Sequence, residues 1–155
     1  MAVFRLERGA TGFRHGKDQE LPAVDIRMFR AGCHAAARVA GGTVELIVER
    51  TYPRNFHSAV IAAAAGRLGI LCHVHHPWIA FIEEGAGSGG YPGVFVDPPA
   101  WAGTFAEMNF TIMSRGLLDS PLSEVDTAAL TTAEWSQIRS WRPASVGRAL
   151  FNSWD

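Results

Sequence analysis

The sequence is poor in charge and has no long apolar run. Charged residues make up 19% of its 155 residues, below the roughly 25% of an average globular domain, and the formal net charge is −1. A chain so close to neutrality has no overall electrostatic attraction to nucleic acid or to anionic lipid. The longest uninterrupted apolar run, residues 59–65, is too short to cross a bilayer. We therefore expect neither a nucleic-acid partner nor a membrane partner.

Cysteines and signal-peptide features are also scarce. The two cysteines, Cys33 and Cys72, form no C-x-x-C pair, and charges interrupt the N-terminal residues, where a secretory signal would have an apolar core. In a reducing compartment, such cysteines are most simply small buried hydrophobic residues. We expect a cytoplasmic protein without a disulfide and without a cofactor.

Apolar residues, by contrast, are plentiful. They make up 48% of the sequence, which excludes a disordered chain. On folding, a chain of this length buries roughly 69% of the surface that it exposes when unfolded. The length fits a single domain, residues 1–155, with a core that needs neither disulfides nor a metal.

Much of the chain has the apolar pattern of strands. Residues 24–30 alternate apolar and charged positions, and residues 44–50 are rich in β-branched side chains, as in half-buried antiparallel strands. The same criteria predict further strands at residues 3–8, 94–96 and 104–114.

Two segments leave alternatives open. The alanine-rich residues 33–40 fit either a helical turn or a strand, and the pair Gly41-Gly42 that follows favours a strand leading into a hairpin. Residues 70–76 and 78–83 form either one kinked strand or two successive strands, because only Pro77 separates them.

One helix is predicted in the first two-thirds of the chain, at residues 56–68. Asn55 would be its N-cap and Gly69 its C-cap. Its consecutive alanines would allow a close approach to a sheet, so we expect this helix to cover one sheet face.

The last quarter of the chain is predicted to be helical. Thr131 and Glu134 match the Ser/Thr-x-x-Glu capping box, which predicts a helix ending near Trp141, and Pro143 would start another. Together the patterns predict an α+β fold: a mostly antiparallel sheet of about six or seven strands with one central helix and short C-terminal helices.

The densest group of chemically active side chains is Cys72-His-Val-His-His. In a strand, His73 and His75 point to the same face, where two neutral imidazoles can bind a metal or a ligand. A third ligand would come from another segment; Glu107 is the favoured candidate, and the alternatives are Glu83 and His57. The simpler interpretation is a surface cluster of solvated or hydrogen-bonded histidines.

No catalytic motif is present. The glycine-rich residues 85–93 are not followed by Gly-Lys-Ser/Thr and predict a flexible connector rather than a phosphate site. There is no Gly-x-Ser-x-Gly elbow. Neighbouring strand residues face opposite ways, so Cys72 with His73 cannot form a thiol–imidazole pair, nor Glu83 with Glu84 a carboxylate dyad.

Five tryptophans are present. Tryptophan is common both in cores and at binding hot spots, so each is either a core residue or part of a partner surface. The candidates for a partner surface are Trp78, Trp101 and Trp135.

Residues 141–155 resemble a pattern in small uncharacterised bacterial proteins. The segment reads W-x-P-x-x-V-G-x-x-x-F-N-x-W-D, and the resemblance implies no activity. Physically, proline would start a helix, Phe151 and Trp154 would anchor the end to the core, and Asn152 and Asp155 would cap neighbouring backbone.

Two functions remain as hypotheses. The first is a small cytoplasmic, non-catalytic binding protein of toxin-immunity or accessory type, with a protein partner. The alternative is a small enzyme or a metal- or ligand-binding protein that uses His73 and His75.

Overall fold

A computed structural model of the chain describes residues 3–83 and 93–155. The α-helices of these residues are Ile26–Ala40 (α1), Gly103–Glu107 (α2), Arg115–Leu118 (α3), Thr132–Trp141 (α4) and Val146–Leu150 (α5). The strands are Thr43–Val48 (β1), Phe56–Ala63 (β2), Gly66–His73 (β3), Trp78–Glu83 (β4), Phe95–Val96 (β5) and Thr111–Ile112 (β6). Short 3-10 turns lie at Ala100–Ala102 and Leu122–Glu124.

The strands form one sheet in the order β1-β2-β3-β4-β5, with every pair in this path antiparallel. The short strand β6 pairs with β4 in parallel. The α+β fold with a mostly antiparallel sheet is therefore confirmed. No helix of the described ranges is both long and apolar enough to cross a membrane.

Both faces of the sheet are covered. On one face, Ile70, Cys72 and Phe81 pack with residues of α1 and α2, such as Phe29 and Phe105. The opposite face packs against the N-terminal segment and the C-terminal third through Leu6, Phe56, Leu71, Leu150 and Phe151. This two-sided cover explains why β3 is a continuous apolar run rather than an alternating one.

The helix predicted at residues 56–68 is wrong. The segment instead forms β2, turns, and enters β3, with Ala63 opposite Gly66. The β-branched Val60 and Ile61 fit the pleated sheet, and alanines are small enough for either structure. Gly69 is not a helix cap; it lies within β3, where an added Cβ would come within 2.5 Å of Ile82.

The strands predicted at residues 24–30 and 33–40 are also wrong, because α1 occupies both. Its buried side includes Phe29, Cys33 and Ala37, which are four residues apart and thus follow the helical period. Asp25 caps the first turn, and Gly41 ends the helix with φ +68, a conformation that glycine adopts readily. The central helix of the fold is therefore α1.

Other expectations divide between correct and wrong. Residues 3–8 form only an isolated bridge, Arg5 to Asp126. Of residues 104–114, the first four belong to α2 and only Thr111–Ile112 pairs with the sheet. Strands near residues 44–50 and 94–96 are confirmed. Residues 70–76 and 78–83 belong to two successive strands rather than one, but the first of them, β3, ends at His73, so His75 and His76 lie outside the strand in which they were predicted.

The C-terminal helices are confirmed. Thr131 and Glu134 form the expected capping box of α4, and Ser145 caps α5. Both cysteines are free and buried, as expected.

Candidate functional site

Three histidines lie where β3 ends and the chain turns, with His73 as the last residue of the strand. We call residues 73–76 the histidine turn. His73 is fully buried; its Nδ1 accepts the backbone N–H groups of His75 at 3.0 Å and His76 at 3.2 Å. Its Nε2 therefore bears the proton and donates to the carbonyl of Ala10 at 2.8 Å. Both ring nitrogens of His73 are thus engaged within the fold.

Burial fixes the charge state of His73. Loss of solvent lowers the pKa of its imidazole to about 3, against a smaller raising effect of the hydrogen bond to Ala10. The ring is therefore neutral at physiological pH. Its nitrogen lone pair, on Nδ1, already accepts two backbone hydrogen bonds.

The other two histidines tie the N-terminal segment to the sheet. His75 Nδ1 donates to the carbonyl of Pro22 at 2.8 Å, and His76 Nε2 donates to that of Arg8 at 2.8 Å. Burial lowers the pKa of His75, and the rings of His75 and His76 are both half-exposed.

The structure brings His73 and His75 together but not Glu107. The two rings lie 5.8 Å apart. Glu107 is exposed on α2, which packs on the α1 face of the sheet, whereas His73 contacts Trp78 and Phe151 on the opposite face. In residues 3–83 and 93–155, no group of three His, Cys, Asp or Glu side chains is arranged to hold a metal ion.

The alternative third ligands lie elsewhere. His57 faces α1, where its ring stacks on Phe29 at 6.3 Å. Glu83 is exposed at the end of β4. Of the predicted glycine connector, residues 85–93, only Gly93 lies within the described residues.

The tryptophans proposed as a partner surface are mainly packing residues. Trp78 belongs to the core on the C-terminal face. Trp101 is half-buried against Phe81, and Trp135 is half-buried beside the C-terminal core. The exposed tryptophan is Trp141, at 47%, which the sequence analysis placed at a helix end.

A cleft of about 200 Å³ opens beside the histidine turn. Four segments that are distant in sequence line it: residues 11–14, residues 50–55, the histidine turn and the C-terminal residues 152–154. We call it the arginine cleft, because three arginines line it together with His75: Arg14, Arg50 and Arg54. No Asp or Glu side chain is among its described lining residues.

The charges of these three arginines are not paired with carboxylates of the described residues. Arg14 donates to the carbonyl of Asp18 at 3.0 Å, and Arg50 to that of Arg54 at 3.2 Å. The guanidinium of Arg54 lies 5.8 Å from the ring centre of Phe56. None of the three forms an ion pair with a carboxylate of the described residues. The cleft thus presents cationic donors to whatever enters it.

Beneath the cleft lies a buried polar network, by which we mean Thr11, Asn55, His73, Glu134 and Asn152. Asn55 donates to the carbonyl of Leu150 at 2.8 Å and accepts the N–H of Asn152 at 2.9 Å. Asn152 donates to the carbonyl of Thr11 at 3.1 Å. The network holds the floor of the cleft, with its polar atoms directed inward.

Glu134 anchors one wall through this network. Its carboxylate accepts the N–H of Gly9 at 2.9 Å, and the N–H and hydroxyl of Thr11 at 2.9 and 2.8 Å. The sequence pattern around Glu134 predicts only its part in the capping box of α4. Its second role depends on residues more than a hundred positions away, so no local pattern indicates it.

The C-terminal segment forms the other wall. Trp154 stacks between Phe13, with ring centres 6.3 Å apart, and Trp141, at 6.0 Å. Tyr52 donates its hydroxyl proton to the carboxylate of Asp155. The aromatic residues of the W…F-N-x-W-D segment therefore have a visible structural task, and Asn152 joins them to the network.

The hydroxyl of Thr11 in the cleft is committed to Glu134, and the described lining residues include no Asp or Glu side chain. Neither Cys33 nor Cys72 is among the lining residues, and burial raises the pKa of Cys33 to about 12 and that of Cys72 as well. They are therefore protonated and poor nucleophiles.

The chain matches no family model, no curated protein and no solved structure.

Proposed function

We propose that this chain is a small non-catalytic binding protein that receives a carboxylate of its partner in the arginine cleft. The supporting observation is that Arg14, Arg50 and Arg54 line one cleft and form no ion pair with the described carboxylates. A guanidinium is a planar fork that binds a carboxylate through two parallel hydrogen bonds. Three such groups on a rigid floor favour one anionic group over water.

The size of the cleft supports a side chain of a larger partner as its occupant. Its volume is about 200 Å³, whereas sites for whole small molecules measure roughly 300 to 1,000 Å³. A glutamate or aspartate side chain fits the smaller space. A protein that occludes a partner, as the toxin-immunity hypothesis requires, would use such a site.

Two further points support the proposal. The free thiols of Cys33 and Cys72 are compatible with a reducing cytoplasm. The alternative, a metal on His73 and His75, would require His73 to break its bond to Ala10 or to the turn.

The test is an NMR titration that follows the arginine Nε–H signals while triglutamate is added at about 50 mM salt, where screening is weak. We expect the signals of Arg14, Arg50 and Arg54 to shift together and to give one dissociation constant. Arg67 is the internal control, because it pairs with Glu45 at 2.6 Å and lies far from the cleft. It is seven positions before the lining residue Val74 along extended backbone, which corresponds to about 23 Å. Equal shifts at Arg67, or none in the cleft, would overturn the proposal.

A further inference from the structure

The outer side of α1 carries a row of basic side chains. Arg30, His34 and Arg38 are exposed and four residues apart, so they lie on one side of the helix. We call them the basic row. Residues Ile26–Ala40 contain no Asp or Glu.

The basic row has no partner within the part of the chain that the structure describes. No hydrogen bond or ion pair of the described residues involves the side chains of Arg30, His34 or Arg38. Arg27, one turn earlier, differs because it pairs with Asp25 at 2.9 Å.

Helix stability does not explain the row. The helix dipole stabilises cations only in the last turn, which suits Arg38 but not Arg30 or His34. At the N-terminus the acidic N-cap Asp25 already complements the dipole and pairs with Arg27.

A second row on the exposed side of α1 is apolar. Met28 is 45% exposed and Val39 is 66% exposed, and Ala31 and Ala35 lie between them at helical spacing. We call these four residues the apolar row. Because this apolar row lies beside the unpaired cations of the basic row, one partner can make both apolar and ionic contacts with α1.

The basic row and the arginine cleft approach each other at His57. The Nδ1 of this histidine accepts the backbone N–H of Arg50, a cleft residue, at 2.9 Å, and its ring stacks on Phe29, the neighbour of Arg30, at 6.3 Å. The charges of Arg30 and Arg50 both act on this ring. His57 and Phe29 are themselves buried, so these contacts place the two cationic regions close together without forming part of the exposed surface.

We propose that the two rows of α1 and the neighbouring arginine cleft together bind an acidic, amphipathic segment of a partner protein. One carboxylate of the segment enters the cleft, others pair with Arg30 and Arg38, and its apolar side chains cover Met28 and Val39. The basic row alone is about 12 Å long, so a single side chain cannot span the surface. This inference rests on the proposed function of the cleft.

Charge and apolar contact together favour a protein segment over nucleic acid. Phosphate backbones match cations but gain nothing from Met28 and Val39. The formal net charge of −1 also provides no general attraction to a polyanion.

The experiment uses fluorescence anisotropy with a labelled helical peptide of about 14 residues, about 21 Å long, that carries glutamate and leucine on one face. An oligothymidylate of equal charge is the comparison ligand, and unlabelled triglutamate reports on the cleft by NMR. The double variant Arg30→Gln/Arg38→Gln is compared with Arg115→Gln/Arg139→Gln, which removes the same charge from exposed positions of α3 and α4.

We expect the α1 variant to weaken peptide binding about fivefold to tenfold and to leave the triglutamate titration unchanged. Equal loss in the control variant, or tighter binding of oligothymidylate than of the peptide, would overturn the inference. Unchanged peptide affinity in the α1 variant would overturn it while leaving the function of the cleft intact. If triglutamate does not bind the cleft at all, both proposals fail.

Discussion

The buried polar network and the arginine cleft are adjacent, yet they use polar side chains in opposite ways. In the network, His73 engages both ring nitrogens and Glu134 accepts several N–H and O–H groups from within the fold. In the cleft, Arg14, Arg50 and Arg54 contact backbone carbonyls or a ring and form no ion pair with a described carboxylate. The structural network and the candidate site therefore differ in whether their polar groups are paired within the fold, and not in residue type alone.

The largest effect should come from removing the central acceptor of the network. Glu134→Ala leaves the buried N–H groups of Gly9 and Thr11 without their acceptor, and we expect the free energy of unfolding to fall by about 3 kcal/mol or more. Urea denaturation measures it. Glu124→Ala, at an exposed position, is the control and should change stability by less than about 0.5 kcal/mol. Similar values for both variants would show that the network is not a scaffold.

A smaller effect should appear when the pH is lowered. The pKa of His73 is about 3 in the folded protein, below the ordinary value of about 6.5 in the unfolded chain. The unfolded chain therefore binds the proton first, and the contribution of neutral His73 to stability, complete above about pH 6.5, is lost as the pH falls towards 3. By pH 5 the loss is about 2 kcal/mol.

The matched variants for the pH effect are His73→Gln and His34→Gln. Burial also lowers the pKa of His57 and His75, so some pH dependence of the same sign remains in every variant. Urea denaturation between pH 5 and pH 7.5 should show a flatter profile for His73→Gln only. A profile as steep as that of the wild type would contradict the assignment of a neutral, buried His73.

The smallest effect on stability should come from the cleft. Arg54→Gln removes no ion pair of the described residues, so we expect the free energy of unfolding, measured by thermal denaturation, to change by less than about 0.5 kcal/mol. A large destabilisation would place Arg54 in the scaffold and would remove the contrast between the two regions.

Local patterns predicted some elements of this fold and missed others for identifiable reasons. The capping box of Thr131 and Glu134 is a local feature, and it correctly gave α4. A helix was predicted where the alanine-rich β2 lies, and a strand was favoured where the alanine-rich α1 lies. Alanine fits either structure, and the choice depends on which side chains the rest of the chain covers. Alternation at residues 24–30 was misleading, since burial of Phe29 and Cys33 against the sheet outweighs it.

The candidate site was less accessible from sequence than the fold. The density of histidines predicted a metal or ligand site, but both ring nitrogens of His73 are bonded to a carbonyl and two N–H groups that only the folded chain supplies. The arginines come from separate segments, and the stretch Tyr52-Pro-Arg-Asn was interpreted only as a loop. Two arginines four positions apart, Arg50 and Arg54, were the available indication in the sequence.

The most direct test of the central claim is to repeat the triglutamate titration on the Arg54→Gln variant. If the cleft arginines bind the carboxylate of a partner, the affinity reported by the Arg14 and Arg50 signals should fall about fivefold or more, while signals from the buried polar network keep their positions. An unchanged affinity, with an intact fold, would contradict the claim that the arginine cleft is the binding site.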